Sequence, residues 1–212
     1  MRREVSAGAA ATSLACRPPV TGEFWLDCAI GTSAFAVVLY AMLAFRLRHV
    51  PFLRDVVVSS AGARPRVSIV APALNEARGI EAAVRGFVAQ HGLGLEVIVV
   101  DDRSTDATPA ILARLAAELP DLRVLTVREL PPGWLGKNHA NALGASIASG
   151  EWLLFTDADV VLAPDAVARA VAYAESRGFD HVAVAPRIVL PGAWLQQFVL
   201  YFGLMFVLYL RP

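Results

Sequence analysis

Cysteine is almost missing from this chain of 212 residues: there are two, Cys16 and Cys28, both near the N-terminus. A disulfide framework and a cysteine-built zinc site are thereby excluded, and the part from Arg64 onward suits a reducing compartment. Charge is scarce as well. Nineteen Lys+Arg balance nineteen Asp+Glu, and charged residues make up 18% of the chain, against about 25% in an ordinary soluble domain. With no basic excess to hold a polyanion, a strongly basic nucleic-acid binder is excluded and no nucleic-acid partner is expected. The absence of an acidic excess excludes a disordered, solvating chain. No G-x-G-x-x-G follows the first strand and no G-x-x-x-x-G-K-[ST] occurs, so the dinucleotide and P-loop phosphate cradles are both missing. No Ser/His/Asp nucleophile arrangement stands out. Lysine occurs once, at Lys137.

What the chain has in quantity is apolar surface, 56% of its residues. Residues 28–45 contain no charge, and with Phe24, Trp25 and Leu26 added the run over 24–45 reaches the ~20 residues that span a bilayer. The run is too long for the apolar region of a signal peptide, and no A-x-A-like site follows it. Arg46, Arg48 and Arg54 crowd its C-terminal flank with His49, closer than Arg2, Arg3 and Arg17 lie to its start. Lys/Arg bias therefore places the bulk of the chain in the cytoplasm, anchored in the cell inner membrane. A second apolar stretch, 194–210, is rich in aromatics but short for a span, and suits an interfacial or a spanning position. An apolar helix followed by Arg211-Pro212 is expected to be a chain cut short. The expected organisation is a tail over 1–23, a transmembrane helix over 24–45, a linker over 46–65, a domain over 66–193, and an apolar helix over 194–212.

Between 66 and 186 the periodicity switches repeatedly. Short apolar runs at 67–71, 95–100, 124–127, 152–155 and 181–185 read as strands, and 79–90, 108–119, 138–149 and 164–177 read as helices. The run LEVIVV has the β-branched character of a strand buried on both faces, and Pro109 suits a first helical turn. Strands alternating with helices of about a dozen residues predict an α/β fold with a doubly wound, mostly parallel sheet. In such sheets ligands bind outside the carboxyl ends of the strands. The segments there are Pro72-Ala73-Leu74-Asn75-Glu76, the run Asp101 to Asp106, the loop from Arg128 to Lys137, and Asp157-Ala158-Asp159. Acidic residues occur in all four, and carboxylates crowded on one edge repel unless a cation or hydrogen-bond donors neutralise them.

Asp157-x-Asp159 follows an apolar strand. Carboxylates at i and i+2 of an extended turn can point to one side and hold a hard divalent cation, Mg²⁺ or Mn²⁺, that keeps water and phosphate oxygens in its shell. The competing reading makes both of them turn or cap residues before the next helix. Asp101-Asp102 ends the second strand, where a carboxylate can accept from ribose hydroxyls or a base N–H. Asp106 or Ser104 is expected to cap the following helix. Asn75-Glu76 is ordinary for a helix start and carries less weight. Pro131-Pro132-Gly133-Trp134-Leu135-Gly136-Lys137 is a stiff loop whose Lys and glycines suit a diphosphate clamp, or else a surface loop whose Trp plugs the core. His139, His91 and His181 read as surface residues.

VSIVAPALNE, VIVVDDRSTDAT, GWLGKNHANALG and GEWLLFTDADV, in that order, resemble the inverting GT-A glycosyltransferases of family 2 over residues 66 to about 190. The PPGWLGK form of the third motif is similar to the membrane-bound branch that includes hopanoid-biosynthesis-associated and carotenoid glycosyltransferases. The resemblance implies a GT-A nucleotide-binding half and a nucleotide-sugar donor, UDP-linked by expectation, with a lipid or polyisoprenoid acceptor. It implies that Pro72, Leu74, Glu76 and Asp102 hold base and ribose, that Lys137 lies by the diphosphate, and that Asp157 and Asp159 bind metal and donor phosphates. The reaction implied is a direct displacement with inversion. Two departures stand out. The family's Gly-Lys-x-x-Ala-x-Asn pattern reads here Gly136-Lys137-Asn138-His139-Ala140-Asn141-Ala142, with Asn141 one place early. The family's catalytic base is expected beyond Pro212, so no residue is offered for it.

Two other functions fit parts of the pattern. WLLFTDADVVL also resembles the D-x-D strand of haloacid-dehalogenase-type phosphatases, but three strands precede Asp157 and no lysine follows Asp159. A membrane-anchored nucleotide-sugar-binding remnant without chemistry is the non-enzyme alternative.

Overall fold

The run without charge forms helix α1, Gly22–Leu47, 26 residues long. Its segment Gly22–Phe45 has a mean hydropathy of 2.0 and none of it is buried; among the described residues it is the one helix long and apolar enough to cross a membrane. In a computed structural model the chain is described over residues 22–48, 51–58, 64–186 and 192–209. The second apolar run forms the last helix, α6, Ala193–Tyr209. Helices α1 and α6 belong to one unit, and the chain from Pro51 to Leu190 forms another.

In the second unit strands and helices alternate. They are β1 (Arg66–Ala73), α2 (Ile80–Val88), β2 (Gly94–Asp102), α3 (Thr108–Glu118), β3 (Leu122–Val127), α4 (Gly136–Ile147), β4 (Trp152–Phe155) and α5 (Ala166–Arg177). The sheet order is β3-β2-β1-β4 and every pairing is parallel. This is the expected α/β arrangement, with β1 and β2 in the middle and buried on both faces, as near-continuous apolar runs require.

Period-two alternation along β1 sends Val67, Ile69, Ala71 and Ala73 to one face, where α2, α3 and α5 bring Phe87, Ile80, Leu112, Leu115 and Val171. Val70, with Ile98 and Val100 of β2, faces the other way onto Ala140 of α4. Phe87 is wholly buried, and truncating such a ring to Ala costs about 3–5 kcal/mol. Helix α4 lies close to the sheet because residue 144 is glycine: a Cβ there would come 2.4 Å from Val70 Cγ1.

The fifth strand expected at 181–185 does not form; residues 181–186 are unpaired and mostly exposed. Their apolar alternation is a strand signature, but a ladder needs a neighbouring edge, and among the described residues none pairs with them. Helix α4 also starts two residues before the expected 138, so that Gly136 and Lys137 form its first turn.

Candidate functional site

Parallel pairing puts all four strand ends on one edge of the sheet. The register sets Ala73 beside Asp101 and Asp102 beside Val127, while β4 ends at Phe155 opposite Val70, so Asp157 emerges next to Pro72. The loops that leave these ends are knitted by short polar side chains. Asn75 has φ 58°, the left-handed region that Asn tolerates better than most residues. In that turn its Oδ1 accepts the Thr105 N–H at 2.8 Å, while its own N–H donates to Ser104 Oγ at 3.0 Å. The N–H of Glu76 donates to Thr108 Oγ1 at 2.9 Å. Asp106 accepts from Thr108 N at 2.9 Å and from Ala77 N at 3.2 Å. Hydrogen bonds to its ionised form, first of all from Thr108, lower its pKa.

Asn75 is a turn residue that pins the first loop to the second, and α2 begins at Ile80, close to the expected 79. Of the two capping candidates Asp106 is the one that serves: the N-cap position of α3 is Ala107, and Asp106, just before it, accepts from the N–H of Thr108 and of Ala77, while the Ser104 hydroxyl is taken by the Asn75 N–H.

Asp102 ends β2 with its side chain 4% exposed. Arg103 is in the left-handed region at φ 62°, which folds its guanidinium back onto Asp102: Nε donates to Oδ1 at 2.8 Å and Nη2 to Oδ2 at 3.0 Å. A charge this buried requires such a partner. The first turn of α4 closes over the pair, and a Cβ on Gly136 would lie 2.3 Å from Asp102 Oδ2 and 2.8 Å from Arg103 Nη2. A larger residue at 136 would have to displace this pair or the helix turn.

The next residue, Lys137, donates a hydrogen bond from Nζ to Asp157 Oδ1, and both side chains are largely exposed. Pro72, Ala73, Leu74, Glu76, Asp102, Lys137, Asp157, Ala158 and Asp159 together line a cleft of about 340 Å³. All seven residues singled out from the sequence therefore meet in one place. Burial, followed by the charges of Asp159, Asp106 and Asp157, raises the pKa of Glu76, so carboxylates do crowd this edge, with Lys137 as the ammonium among them.

The donor set bears on metal binding. Among the described residues no three His, Cys, Asp or Glu side chains are grouped to hold a metal ion. Two adjacent carboxylates offer hard oxygen ligands and leave most of a coordination shell open. That fits Mg²⁺ or Mn²⁺, which bind through one or two carboxylates plus substrate phosphates and water.

Arg103 was not legible as a site residue, and Gly136 was legible only as part of the diphosphate clamp, not as the seat of Asp102. An Arg after a strand-ending Asp pair carries no local signal until the left-handed turn is seen, although a glycine just before the lone lysine was a usable one. Trp134 neither plugs the core nor lines the cleft. It is half-exposed and meets His139 edge-on at 5.5 Å between ring centroids. His139 is half-buried rather than on the surface, and its Nδ1, like Asn141 Oδ1, is buried without a partner.

Comparison with known proteins gives a consistent picture. Residues 68–200 match the family model described as glycosyl transferase family 2. The succinoglycan biosynthesis protein ExoO of Rhizobium meliloti is 38% identical over 117 residues, 54% of this chain and 31% of that protein. The 4,4'-diaponeurosporenoate glycosyltransferase of Staphylococcus haemolyticus is 32% identical over 116 residues, 53% of this chain and 30% of that protein. The chain thus spans under a third of the length of each of these relatives. Among solved structures, a mannosyltransferase from Pyrobaculum calidifontis in complex with GDP-Man and Mn²⁺ superposes with a TM-score of 0.53 at 34% identity, covering 69% of this chain and 42% of that one.

Proposed function

Because the chain belongs to glycosyl transferase family 2, we propose that the cleft at the strand ends holds a nucleotide-sugar donor, UDP-linked, whose sugar passes with inversion to a lipid or polyisoprenoid acceptor. The observation behind this reading is the convergence of Pro72, Leu74, Glu76, Asp102, Lys137, Asp157 and Asp159 on one cleft. Pro72, Leu74 and Glu76 wall the side where base and ribose lie, and Asp102, held rigid by Arg103, closes its floor. Lys137 sits in the first turn of α4, where an ammonium and the helix N-terminus both attract a diphosphate. Asp157 and Asp159 would hold a Mg²⁺ or Mn²⁺ ion, which would supply positive charge beside the diphosphate. Lys137 donates to Asp157, and donor phosphates would give it a second set of acceptors. No side chain described here is assigned to take the proton from the acceptor.

Supporting an apolar acceptor, one relative is named a 4,4'-diaponeurosporenoate glycosyltransferase, and α1 has the length and hydropathy of a membrane anchor. In this reading α1 spans the inner membrane, residues 66–193 form the donor-binding domain on the cytoplasmic side, and the aromatic helix α6 lies in or near the bilayer. The mannosyltransferase from Pyrobaculum calidifontis supports both the divalent cation and a nucleotide-diphosphate sugar, there GDP-Man.

Calorimetric titration of the detergent-solubilised chain with UDP, GDP and their sugar conjugates, with and without Mn²⁺, tests the reading. Mn²⁺-dependent binding of the UDP compounds is expected. Selective binding of the GDP compounds would overturn the uridine assignment, and no binding of any nucleotide by folded protein would overturn the donor site itself.

A further inference from the structure

Residues 51–58 lead from the apolar helix toward β1, and one side chain fastens them to the α/β unit. Nη1 of Arg169 on α5 donates to the backbone oxygens of Arg54, at 2.7 Å, and Val56, at 2.5 Å. Its Nε is held by Asp165 at 2.7 Å. Around these bonds the chain makes a short 3-10 turn, Leu53–Asp55, with Leu53 and Val56 turned inward and half-buried. Two apolar residues beside them are exposed: Phe52 is 65% exposed and Val57 86%. The Arg54 guanidinium lies over the Phe52 ring, 4.7 Å from its centroid.

Single exposed apolar residues are ordinary on a soluble surface. Here two of them flank a turn whose backbone is tied down by Arg169, and they lie close in sequence to the end of an apolar helix. Three residues separate Leu47 from Pro51, and four steps of 3.80 Å reach about 15 Å at most. The headgroup layer on each side of a bilayer is roughly 5–8 Å thick, so the turn begins within or just beyond it. Arg46, Arg48, His49 and Arg54 lie in the same stretch, against Asp55 as its one acid. Basic juxtamembrane residues of that kind are attracted to anionic lipid.

We propose that residues 51–58 are a membrane-docking strap: Phe52 and Val57 enter the headgroup layer of an anionic bilayer, Arg54 reaches lipid phosphate, and Arg169 clasps the strap to α5. The strap holds the donor-binding unit against the membrane surface, where an apolar acceptor would present its hydroxyl. The proposal rests on reading α1 as a membrane span.

The test uses the full chain with Cys16 and Cys28 replaced by Ser, in nanodiscs of phosphatidylcholine and phosphatidylglycerol. A nitroxide is attached to a single cysteine introduced by Val57→Cys, with Ala36→Cys in α1 as the lipid reference and the exposed Asp121→Cys as the water reference. Electron paramagnetic resonance then compares collisions with oxygen and with a water-soluble nickel chelate. The label at 57 is expected to favour oxygen severalfold over the label at 121, and less strongly than the label at 36. A label at 57 as open to nickel as that at 121, with 36 shielded, overturns the strap and leaves the membrane span standing. If 36 is open to nickel as well, the span fails and the strap with it. Arg169→Gln tests the clasp: the amides of residues 53–57 should exchange their hydrogens faster, while the fold and the label at 36 are unchanged. Unchanged exchange would overturn the role of Arg169.

Discussion

A Cβ placed on Gly136 would sit 2.3 Å from Oδ2 of Asp102, so the helix that carries Lys137 rests directly on the carboxylate that ends β2. Two of the residues that line the cleft, Asp102 and Lys137, are therefore placed by one contact. Gly136→Ala is expected to displace either the first turn of α4 or the Asp102 carboxylate. Overpacking of this kind costs about 1–3 kcal/mol, and nucleotide affinity should fall at least ~10-fold while the sheet stays folded. Thermal denaturation and calorimetry on the same sample check both halves; unchanged binding would show that the contact does not set the site.

The bidentate pair of Arg103 with Asp102 gives a second prediction, a graded one. Arg103→Ala leaves a buried carboxylate without its cation and should lower stability, though less than breaking a fully buried pair, because the Arg side chain is 37% exposed. Arg103→Gly loses the same guanidinium but relieves the left-handed backbone at φ 62°. It should therefore be the milder change by up to ~1 kcal/mol. Urea denaturation of both variants reads the order, and Gly as damaging as Ala would argue against strain at this residue.

Lys137 and metal compete for Asp157 in this account. Lys137→Met removes the ammonium that donates to Asp157 Oδ1, so Mn²⁺ alone should bind more tightly, while nucleoside diphosphate should bind roughly 10-fold more weakly, a loss of about 1.4 kcal/mol. A variant that weakened Mn²⁺ binding would contradict the competition.

The opposite end of the sheet supplies a pH prediction independent of the cleft. Burial alone would raise the pKa of Glu96, but hydrogen bonds from Ser68, the Ser149 N–H, Arg123 and the Ser149 hydroxyl outweigh it and bring it down to about 2. A carboxyl whose folded pKa lies below its unfolded value adds stability that is complete above pH ~4.5 and is lost as the pH falls toward 2, here on the order of 2 kcal/mol. Glu96→Gln should flatten that part of the stability curve, measured by urea denaturation between pH 3 and pH 7.

How much of this was readable in the chain follows from where each signal resides. Strand β4 coincides with the expected 152–155, and the two-faced burial of β2 was visible in LEVIVV, because local patterning encodes both. The gathering of the acidic loops at one edge followed from parallel topology alone. What escaped was non-local. Asn75 bonds a residue 30 positions away, and no helix-start rule reveals that. The apolar alternation at 181–185 promised a strand, but periodicity reports a preference and says nothing of a partner edge. Arg103 became legible only through its backbone angle.

The central claim is that Asp157 and Asp159 bind a divalent cation that also contacts the donor diphosphate. Phosphorus NMR of UDP with the solubilised protein and sub-stoichiometric Mn²⁺ tests it most directly, because paramagnetic broadening reports a metal within bonding distance of the phosphates. The account predicts strong broadening of both phosphorus signals with the unaltered chain, lost in Asp157→Asn and in Asp159→Asn variants that remain folded. Broadening that persists in both variants, or that exceeds free Mn²⁺–UDP in none of the samples, would contradict it.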